Sequence, residues 1–415
     1  MFTLLFIAFL LASILLRTWL TLRQIRHVRR HRDAVPAEFA ERISLRSHQR
    51  AADYTHAKAQ VSLVESFVEA AVLVGLTLLG GLQFLDLHLG RLIEHEMLRQ
   101  LALLGSVALI VGVADLPFAL WRKFRLEARF GFNRMTPALF IADMIKGILI
   151  TLVLVTPLAA LILWVMGHAG TSWTWWAWGI WVAFNFLVLW LFPTVIAPLF
   201  NTFKPLDNPE IAERIQALAK RCGFTLGGLF VMDGSRRSAH GNAYFTGFGR
   251  ARRIVFFDTL LSRLNVDEVE AVLAHELGHF THRHILKRMV ISFVSALILF
   301  QVLGWLSQQV WFYTELGVMP QLGRPNDALA LILFFLAMPV FTFWIGPLAA
   351  WVSRRDEFQA DDFAARQCSS DALISALVKL YDDNAATLTP DPLHSACYDS
   401  HPPAVLRIQN LKHGA

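Results

Sequence analysis

Two histidines and a glutamate in the stretch AVLAHELGHF, residues 271–280, have the types and the spacing of a metal site. In a helix, His275 and His279 lie one turn apart on the same face, so both imidazoles can reach one tetrahedral zinc ion at about 2.0–2.1 Å. Glu276 would then project beside the metal, where its carboxylate can take a proton from a water that the metal activates. The spacing therefore predicts a zinc site that carries out hydrolysis.

A catalytic zinc site also needs a third protein ligand and one open position. The stretch SRRDEFQADDFAARQC, residues 353–368, has a helical composition and contains four acids that are candidates for this ligand: Asp356, Glu357, Asp361 and Asp362. Glu357 and Asp361 are four residues apart and share a helix face, so one can bind the metal while the other holds a ligand histidine. The spacing leaves open the alternative that these acids balance neighbouring arginines on a solvated face.

The elements that must position these residues belong to a membrane protein. Of the 415 residues, 55% are hydrophobic and only 17% are charged, against about 25% charged in soluble domains. The formal net charge of +6 is typical of orientation charge, and no basic patch interleaves with aromatic residues, which excludes nucleic acid as a partner. Three cysteines without a C-x-x-C pair argue against a disulfide framework and fit a reducing compartment.

Seven apolar segments are long enough to cross about 30 Å of hydrocarbon. They comprise residues 2–22, 61–85, 98–121, 139–166, 173–200, 285–316 and 328–352. The first lies where a signal peptide would lie, but its long apolar core and the basic residues that follow it predict a span that is retained. The predicted fold class is therefore mainly α, a polytopic helical membrane protein with about seven transmembrane helices.

The basic residues of the loops predict the orientation in the membrane. Nine Arg or Lys residues lie from Arg23 to Lys58 and five from Arg122 to Arg134, whereas the loop GHAGTS has none. The positive-inside rule places the N-terminus outside, and the C-terminus and both large polar regions in the cytoplasm. The chain then divides into a membrane region, 1–200, with five spans, and a region that carries the metal motif, 201–415, which the spans 285–316 and 328–352 interrupt.

The polar residues before the metal motif have the patterns of a small α/β unit. Residues 207–221 predict an amphipathic helix, and GLFVMD predicts a short strand. NAYFTGFG and RIVFFD predict a β-hairpin around RARR. Asn265, with Glu268 three residues later, predicts a capping box at the start of the helix that carries His275. The metal site is therefore expected beside a small β-sheet on the cytoplasmic side.

Four motifs in this order, SRRSAHGNAYFTGFG, HELGH, RRDEFQAD and SHPPAVLRI, resemble the integral-membrane CAAX prenyl endopeptidase family of gluzincin-type zinc metalloproteases. The resemblance covers nearly the whole chain and implies one Zn²⁺ per chain, held by His275, His279 and Glu357. It implies that Glu276 is the general base and that Asp361 holds an imidazole of the ligand pair. It also implies that the spans enclose a large water-filled chamber.

The same resemblance assigns residues to the substrate. Asn242, Ala243 and Tyr244 match a strand beside the zinc, to whose edge an extended peptide can add through backbone hydrogen bonds. His401 and Arg407 match residues that position the substrate and stabilise the oxyanion. Taken alone, His401 is also consistent with a surface-loop histidine and Arg407 with an ordinary salt bridge on a helix face, so these alternatives stay open.

Ionisable residues within or near the apolar segments need partners or water, because charge is costly in hydrocarbon. These residues are Glu65, Glu69, Asp115, Asp143 and Lys146. The resemblance implies that they line the chamber, and local pairs such as Asp143 with Lys146 are the alternative. His282 and His284 are expected where the helix enters the headgroup region, and not as ligands.

Three functions are compatible with these features. The first is an endopeptidase that cuts peptide or protein substrates near their C-termini, membrane-associated or lipidated substrates included; the second is a membrane quality-control protease of broader specificity. The third is a seven-span transporter or receptor with a structural zinc, disfavoured because no fourth Cys or His has structural-site spacing and because such a site does not need Glu276. The ending NLKHGA has no ER-retrieval motif, which favours a bacterial inner membrane and leaves the substrate and the oligomeric state open.

Overall fold

Long helices form most of the chain in a computed structural model, which describes residues 1–246, 253–321 and 323–413. The N-terminal half contains α1 (Phe2–Arg30), α2 (Leu45–Leu76), α3 (Gly81–Leu92), α4 (Glu96–Trp121), α5 (Pro137–His168), α6 (Trp173–Leu191) and α7 (Ala197–Phe200). A π-helical segment, Arg122–Glu127, extends α4, and another, Phe192–Ile196, joins α6 to α7. Each of these two segments therefore continues its helix.

The C-terminal half mixes short helices, a small sheet and further long helices. The helices are α8 (Pro209–Arg221), α9 (Asp258–Leu261), α10 (Val266–Thr281), α11 (His284–Leu306), α12 (Val310–Thr314), α13 (Asp327–Thr342), α14 (Ile345–Gln367), α15 (Ser370–Asp383), α16 (Pro392–Tyr398) and α17 (Ala404–His413). The strands are β1 (Phe203–Pro205), β2 (Gly228–Met232), β3 (Ala243–Thr246) and β4 (Arg253–Phe257). The amphipathic helix, the short strand and both hairpin strands predicted from the sequence are thus present.

The strands pair in the order β1–β2–β4–β3, which places β3 at one edge of the sheet. β2 and β4 are parallel, while β3 pairs with β4 in antiparallel register, with Ala243 opposite Phe256. The residues that connect β3 to β4, 247–252, include the end of NAYFTGFG and most of the predicted turn RARR, and they lie outside the described residues. Since β3 has a neighbour on one side only, its other edge is available to an added strand.

Six helical segments in the described part of the chain are long and apolar enough to cross a membrane, judged by length and composition. They are α1, α2, α4 with its extension, α5, α6 through α7, and α11. α13 and α14 meet the same test together but are bent by 68°, so they form a seventh span if they are one segment. Large apolar side chains such as Leu109, Val153 and Ile298 are exposed on these helices, as lipid contact requires. The polytopic helical fold is therefore confirmed.

Three predicted spans have different ends, because hydropathy cannot show a turn inside an apolar run. The segment 61–85 breaks after α2, where Gly80 has a φ of 77° that glycine adopts without strain. The segment 285–316 ends as a helix at Leu306. The segment 328–352 bends between α13 and α14, and Pro347 lies in the first turn of α14, where its missing N–H removes no helical bond. As a result, α14 runs on from apolar sequence into the acidic stretch.

Two large hydrophobic cores hold the described elements together, besides a smaller cluster around Tyr54 and Phe132. One lies among the long helices and includes the buried side chains of Phe6, Leu103, Leu163, Phe312 and Leu333. The other joins α8, the sheet, α10 and α15 through Ile215, Phe256, Leu277 and Leu377. The second core surrounds α10 and so fixes the helix that carries HELGH.

The predicted capping box at the start of α10 is present. The Asn265 side chain accepts a hydrogen bond from the Glu268 N–H at 2.9 Å, and the Glu268 carboxylate accepts one from the Asn265 N–H at 2.8 Å. Two of the N–H groups that a helix start leaves unsatisfied are thereby paired. The cap begins α10 nearly three turns before its first histidine.

Candidate active site

Three side chains from two helices converge on one point. α10 carries His275 and His279, and α14 carries Glu357; these three could hold a metal ion between them. The two Nε2 atoms are 3.3 Å apart, and the two oxygens of the Glu357 carboxylate face one histidine each: Oε2 lies 3.4 Å from Nε2 of His275, and Oε1 lies 3.3 Å from Nε2 of His279. The two Nε2 atoms and this carboxylate form the ligand triangle. A tetrahedral ion with bonds of about 2.0–2.1 Å separates its ligand atoms by about 3.3–3.4 Å, so this triangle has the size that zinc requires.

The chemistry of the donor set also fits a cation. Oε2 of Glu357 is buried and accepts no hydrogen bond within the ranges described. A buried carboxylate oxygen without a partner is costly unless a charge or a donor compensates it. Two imidazole nitrogens and one carboxylate oxygen are the ligands of a catalytic zinc with one open position. The residues present therefore fit a single tetrahedral metal ion.

Gly278, within HELGH, allows α14 to reach the histidines. A Cβ built on this glycine would lie 2.9 Å from the Cα of Ala360 and 3.1 Å from its carbonyl oxygen, both backbone atoms of α14. Only the absence of a side chain permits this approach. Ala360 lies between Glu357 and Asp361, so the contact fixes the position along α10 at which both acids lie.

Asp361 and Arg407 hold the imidazole of His275 on the side that faces away from the triangle. Nδ1 of His275 lies 2.8 Å from a carboxylate oxygen of Asp361, and Arg407 donates to both oxygens of Asp361 at 2.6 and 2.8 Å. Because a carboxylate accepts only, Nδ1 of His275 donates and its Nε2 lone pair faces the triangle. Asp361 is 0% and Arg407 5% exposed, so water does not screen these contacts.

Arg407 differs from a donor that is free to face an oxyanion, because its guanidinium already contacts two carboxylates. Two of its nitrogens bind Asp361, while Nη1 lies 3.7 Å from Glu357. Arg407 also lines the cavity in front of the triangle. It can therefore fix Asp361 and present charge to the cavity at the same time, and its role in stabilising an oxyanion stays a prediction.

A cavity of about 340 Å³, the site cavity, opens in front of the triangle. Its lining includes Asn242, Ala243, Glu276, Glu357, His401 and Arg407. Glu276 is half-buried and its carboxylate makes no hydrogen bond to another described residue. Burial raises the pKa of Glu276 above its usual range.

His401 forms another part of the wall of the same cavity. Its Nε2 is 3.6 Å from Oε1 of Glu357, and its Nδ1 is 3.1 Å from the hydroxyl of Ser400. A second cavity, of about 500 Å³, adjoins this wall and is lined by His401, Tyr381 and residues of α1 and α2 such as Gln24 and Lys58. The His401 side chain therefore stands between the triangle and a space enclosed by the first two spans.

The edge strand β3 places its residues on two sides. Asn242 and Ala243 line the site cavity, whereas Tyr244 lines a separate cavity with Pro198 and Phe230. Asn242 precedes the strand; within β3, Ala243 and Tyr244 point to opposite faces, as the pleat requires of successive side chains. Only the backbone of Tyr244, as part of the β3 edge, remains available to a peptide bound along the strand.

His284 is the site residue that the sequence interpretation assigned elsewhere. It does begin the membrane-capable helix α11, but its side chain is 1% exposed and its Nδ1 lies 3.0 Å from Nδ1 of His279. His282, two residues earlier, is exposed as expected. The only sequence sign of this contact is the second of two histidines that shortly follow HELGH.

Acids in the spans pair over long sequence distances. Asp143 binds Arg237 at 2.8 Å, and Lys146 donates to the carbonyl of Leu199 at 2.8 Å, so the alternative of a local pair between Asp143 and Lys146 does not apply, and the lining of a chamber stays a prediction. Glu65 pairs with Arg122, and Glu69 with Arg17. The Asp143–Arg237 pair ties α5 to the loop before β3 and so helps to hold the edge strand.

Comparisons with known proteins agree over the whole length. Residues 24–202 match the family described as CAAX prenyl protease N-terminal, five membrane helices, and residues 205–415 match peptidase family M48. A CAAX prenyl protease 1 homolog of Arabidopsis thaliana is 32% identical over 98% of this chain and 96% of its own length. CAAX prenyl protease 1 of Saccharomyces cerevisiae is 32% identical over 75% of this chain and 72% of its own. The crystal structure of S. mikatae Ste24p has a TM-score of 0.92 at 29% identity and covers 99% of both chains.

Proposed function

This chain belongs to peptidase family M48, and from that membership we propose that its metal is zinc, bound one per chain by His275, His279 and Glu357. The chain is a multi-pass membrane metalloendopeptidase that acts on peptide or protein substrates. The ligand triangle, with edges of 3.3–3.4 Å, is the single observation that carries the metal assignment. When bound, zinc supplies a Lewis acid that polarises water and the carbonyl of the scissile bond.

Glu276 is the general base in this proposal. It takes a proton from the attacking water and passes that proton to the leaving amine, as one carboxylate can do in both steps. Its free carboxylate, its position in the site cavity and its raised pKa all favour this role. His401 and Arg407 also line the site cavity, and both carry donors that can face the substrate carbonyl oxygen as it gains negative charge.

The substrate is an extended peptide that adds to the free edge of β3. Ala243 lies both on this edge and in the site cavity, so a strand bound there passes in front of the triangle. Relatives are named CAAX prenyl proteases, and we propose that this chain likewise cuts near the C-termini of membrane-associated proteins, prenylated ones included. Binding through backbone groups reads shape more than sequence, which favours broader membrane-protein cleavage as the second candidate.

Glu276→Gln tests the mechanism. The variant keeps the size of the side chain but has no basic carboxylate, so it should retain about one zinc per chain and lose cleavage by about 10²-fold or more. Glu213→Gln, an exposed glutamate on α8, is the matched control and should behave as the wild type. Metal content by mass spectrometry and cleavage of a quenched peptide are the two readouts. Wild-type cleavage by Glu276→Gln would remove Glu276 from the mechanism.

Membrane proteomics tests the substrate class. Membranes that contain the active enzyme are compared with membranes that contain Glu276→Gln, and new peptide ends are mapped. Cuts confined to the last few residues of proteins support the C-terminal protease. Cuts spread through internal segments support the quality-control protease and contradict the narrower proposal.

A further inference from the structure

The two ligand histidines are each held from behind, but by different groups. His275 is held by Asp361, as described above. His279 instead meets another histidine: its Nδ1 lies 3.0 Å from Nδ1 of His284. On its far side, Nε2 of His284 lies 2.9 Å from the amide oxygen of Gln359 and 3.5 Å from a carboxylate oxygen of Asp356. The second ligand is thus connected through one imidazole to acceptors on α14.

The proton positions along this chain of contacts are determined by its two ends. Gln359 and Asp356 present oxygen acceptors to His284, so Nε2 of His284 carries a proton and donates. A neutral His284 then has a lone pair on Nδ1, which can only accept. Nδ1 of His279 must therefore donate to it, which leaves the Nε2 lone pair of His279 directed at the ligand triangle. No other arrangement of protons lets neutral His279 bind a metal through Nε2 and satisfy both contacts.

The short turn between α10 and α11 brings the His284 side chain against His279. Only two residues separate α10 from α11, and Arg283, the second of them, has a φ of 57°, in the left-handed region. A residue other than glycine adopts this conformation only at an energetic cost, because its Cβ comes close to the following carbonyl oxygen. Arg283 is itself exposed, so its own side chain does not require the turn. The turn reverses the chain enough to lay His284 against His279, five residues earlier.

Asp356 extends the contact to the membrane helix α11. Its second carboxylate oxygen accepts from Arg288 at 2.9 Å, so α11 and α14 are tied together behind His284. His284 is buried at 1% exposure, and Asp356 and Gln359 are largely covered. Water therefore cannot easily replace His284 as the partner of His279.

We propose that His284 is a positioning residue that fixes the tautomer and the ring orientation of His279 and thereby strengthens metal binding. The proposal rests on the proposed function in one respect, that His279 is a metal ligand. Groups that hold a ligand histidine from behind typically contribute about 10–100-fold to metal affinity. The effect is on affinity and geometry, since His284 itself does not line the site cavity.

Three substitutions at one position test this role. In His284→Asn, the amide oxygen takes the place of Nδ1 and can still accept from His279. In His284→Gln, the amide lies at the place of Nε2, and His284→Ala has no acceptor. The zinc dissociation constant of each purified full-length variant is measured by competition with a chromophoric chelator, without substrate. His282→Ala, an exposed neighbour, is the matched control.

We expect the dissociation constant to rise by about 10–100-fold in His284→Gln and His284→Ala, and to stay near the wild-type value in His284→Asn and His282→Ala. Equal dissociation constants for the Asn and Gln variants would overturn the proposal, whether both equal the wild type or both are weak. The Asn and Gln comparison decides the matter even if the alanine variant does not fold. A wild type that binds no zinc would instead refute the metal assignment of the proposed function.

Discussion

Gly278→Ala tests whether the approach of α14 to α10 creates the metal site. The new Cβ would lie 2.9 Å from the Cα of Ala360. Carbon atoms pack without repulsion at about 3.5–4.0 Å, so α14 would have to retreat by about 0.6–1.1 Å. Backbone atoms cannot move aside as a flexible side chain can. The whole of α14 near Glu357 must therefore shift.

The size of the effect follows from this displacement. Overpacking of this kind costs about 1–3 kcal/mol. A metal site tolerates about 0.5 Å of error in its ligands, so the retreat would stretch the two edges of the triangle that end on Glu357 beyond their 3.3–3.4 Å. If the strain is relieved by loosening Glu357, the zinc dissociation constant rises by about 5–150-fold, the equivalent of 1–3 kcal/mol.

The assay is chelator competition for zinc, together with thermal unfolding of the metal-free protein. Gly346→Ala is the matched control, because it lies in the same helix and its Cβ would meet nothing within 4 Å. Alanine is favoured over glycine in helices by up to about 1 kcal/mol, so the control should be as stable as the wild type or slightly more. Unchanged zinc affinity and unfolding temperature in Gly278→Ala would refute the idea that this contact sets the ligand geometry.

Three further predictions concern the surroundings of the site. Asp361→Asn leaves the buried Arg407 without a full counter-charge, so chelator competition should show weaker zinc binding by about 10–100-fold; wild-type affinity would contradict its supporting role. Burial raises the pKa of Glu268, but hydrogen bonds from Lys379 and the helix cap outweigh this and hold it below its usual range. Glu268→Gln should therefore lower the unfolding temperature above about pH 4.3, with a deficit that shrinks as the pH falls through the folded pKa; a pH-independent deficit would contradict this. Cys222 should react with an impermeant thiol reagent only from the cytoplasmic side of sealed vesicles, and labelling from outside alone would reverse the predicted orientation.

The sequence predicted those parts of the protein that depend on neighbours along the chain. The family expected from four motifs is confirmed, as is the polytopic helical fold. His275 and His279 share a face because four residues make about one helical turn, and Glu357 with Asp361 follow the same rule on α14. The bend of 68° between α13 and α14 could not be predicted, because the sequence is apolar on both sides of the bend. Hydropathy shows how apolar a segment is but not the direction in which its helix runs.

The residues that hold the ligands were harder to predict, and the two histidines show why. His275 is held by Asp361, which lies 86 positions away in the sequence. Asp361 could be predicted because it lies four residues after Glu357, the candidate third ligand. His284 is only five positions from His279, yet its interpretation as a membrane-interface residue missed the contact. The contact depends on the left-handed turn at Arg283, and arginine is not a residue whose presence predicts such a turn.

The position of α14 links the metal site to the membrane. This helix starts at the bend from α13, carries Glu357 and Asp361, and meets Arg288 of the membrane-capable helix α11 through Asp356. The third ligand and both supports of the histidines therefore depend on how α11, α13 and α14 pack. A soluble fragment that contained HELGH and the sheet but lacked these helices would keep two ligands and lose the third. The membrane helices are thus part of the metal site itself, and zinc affinity should report on their packing.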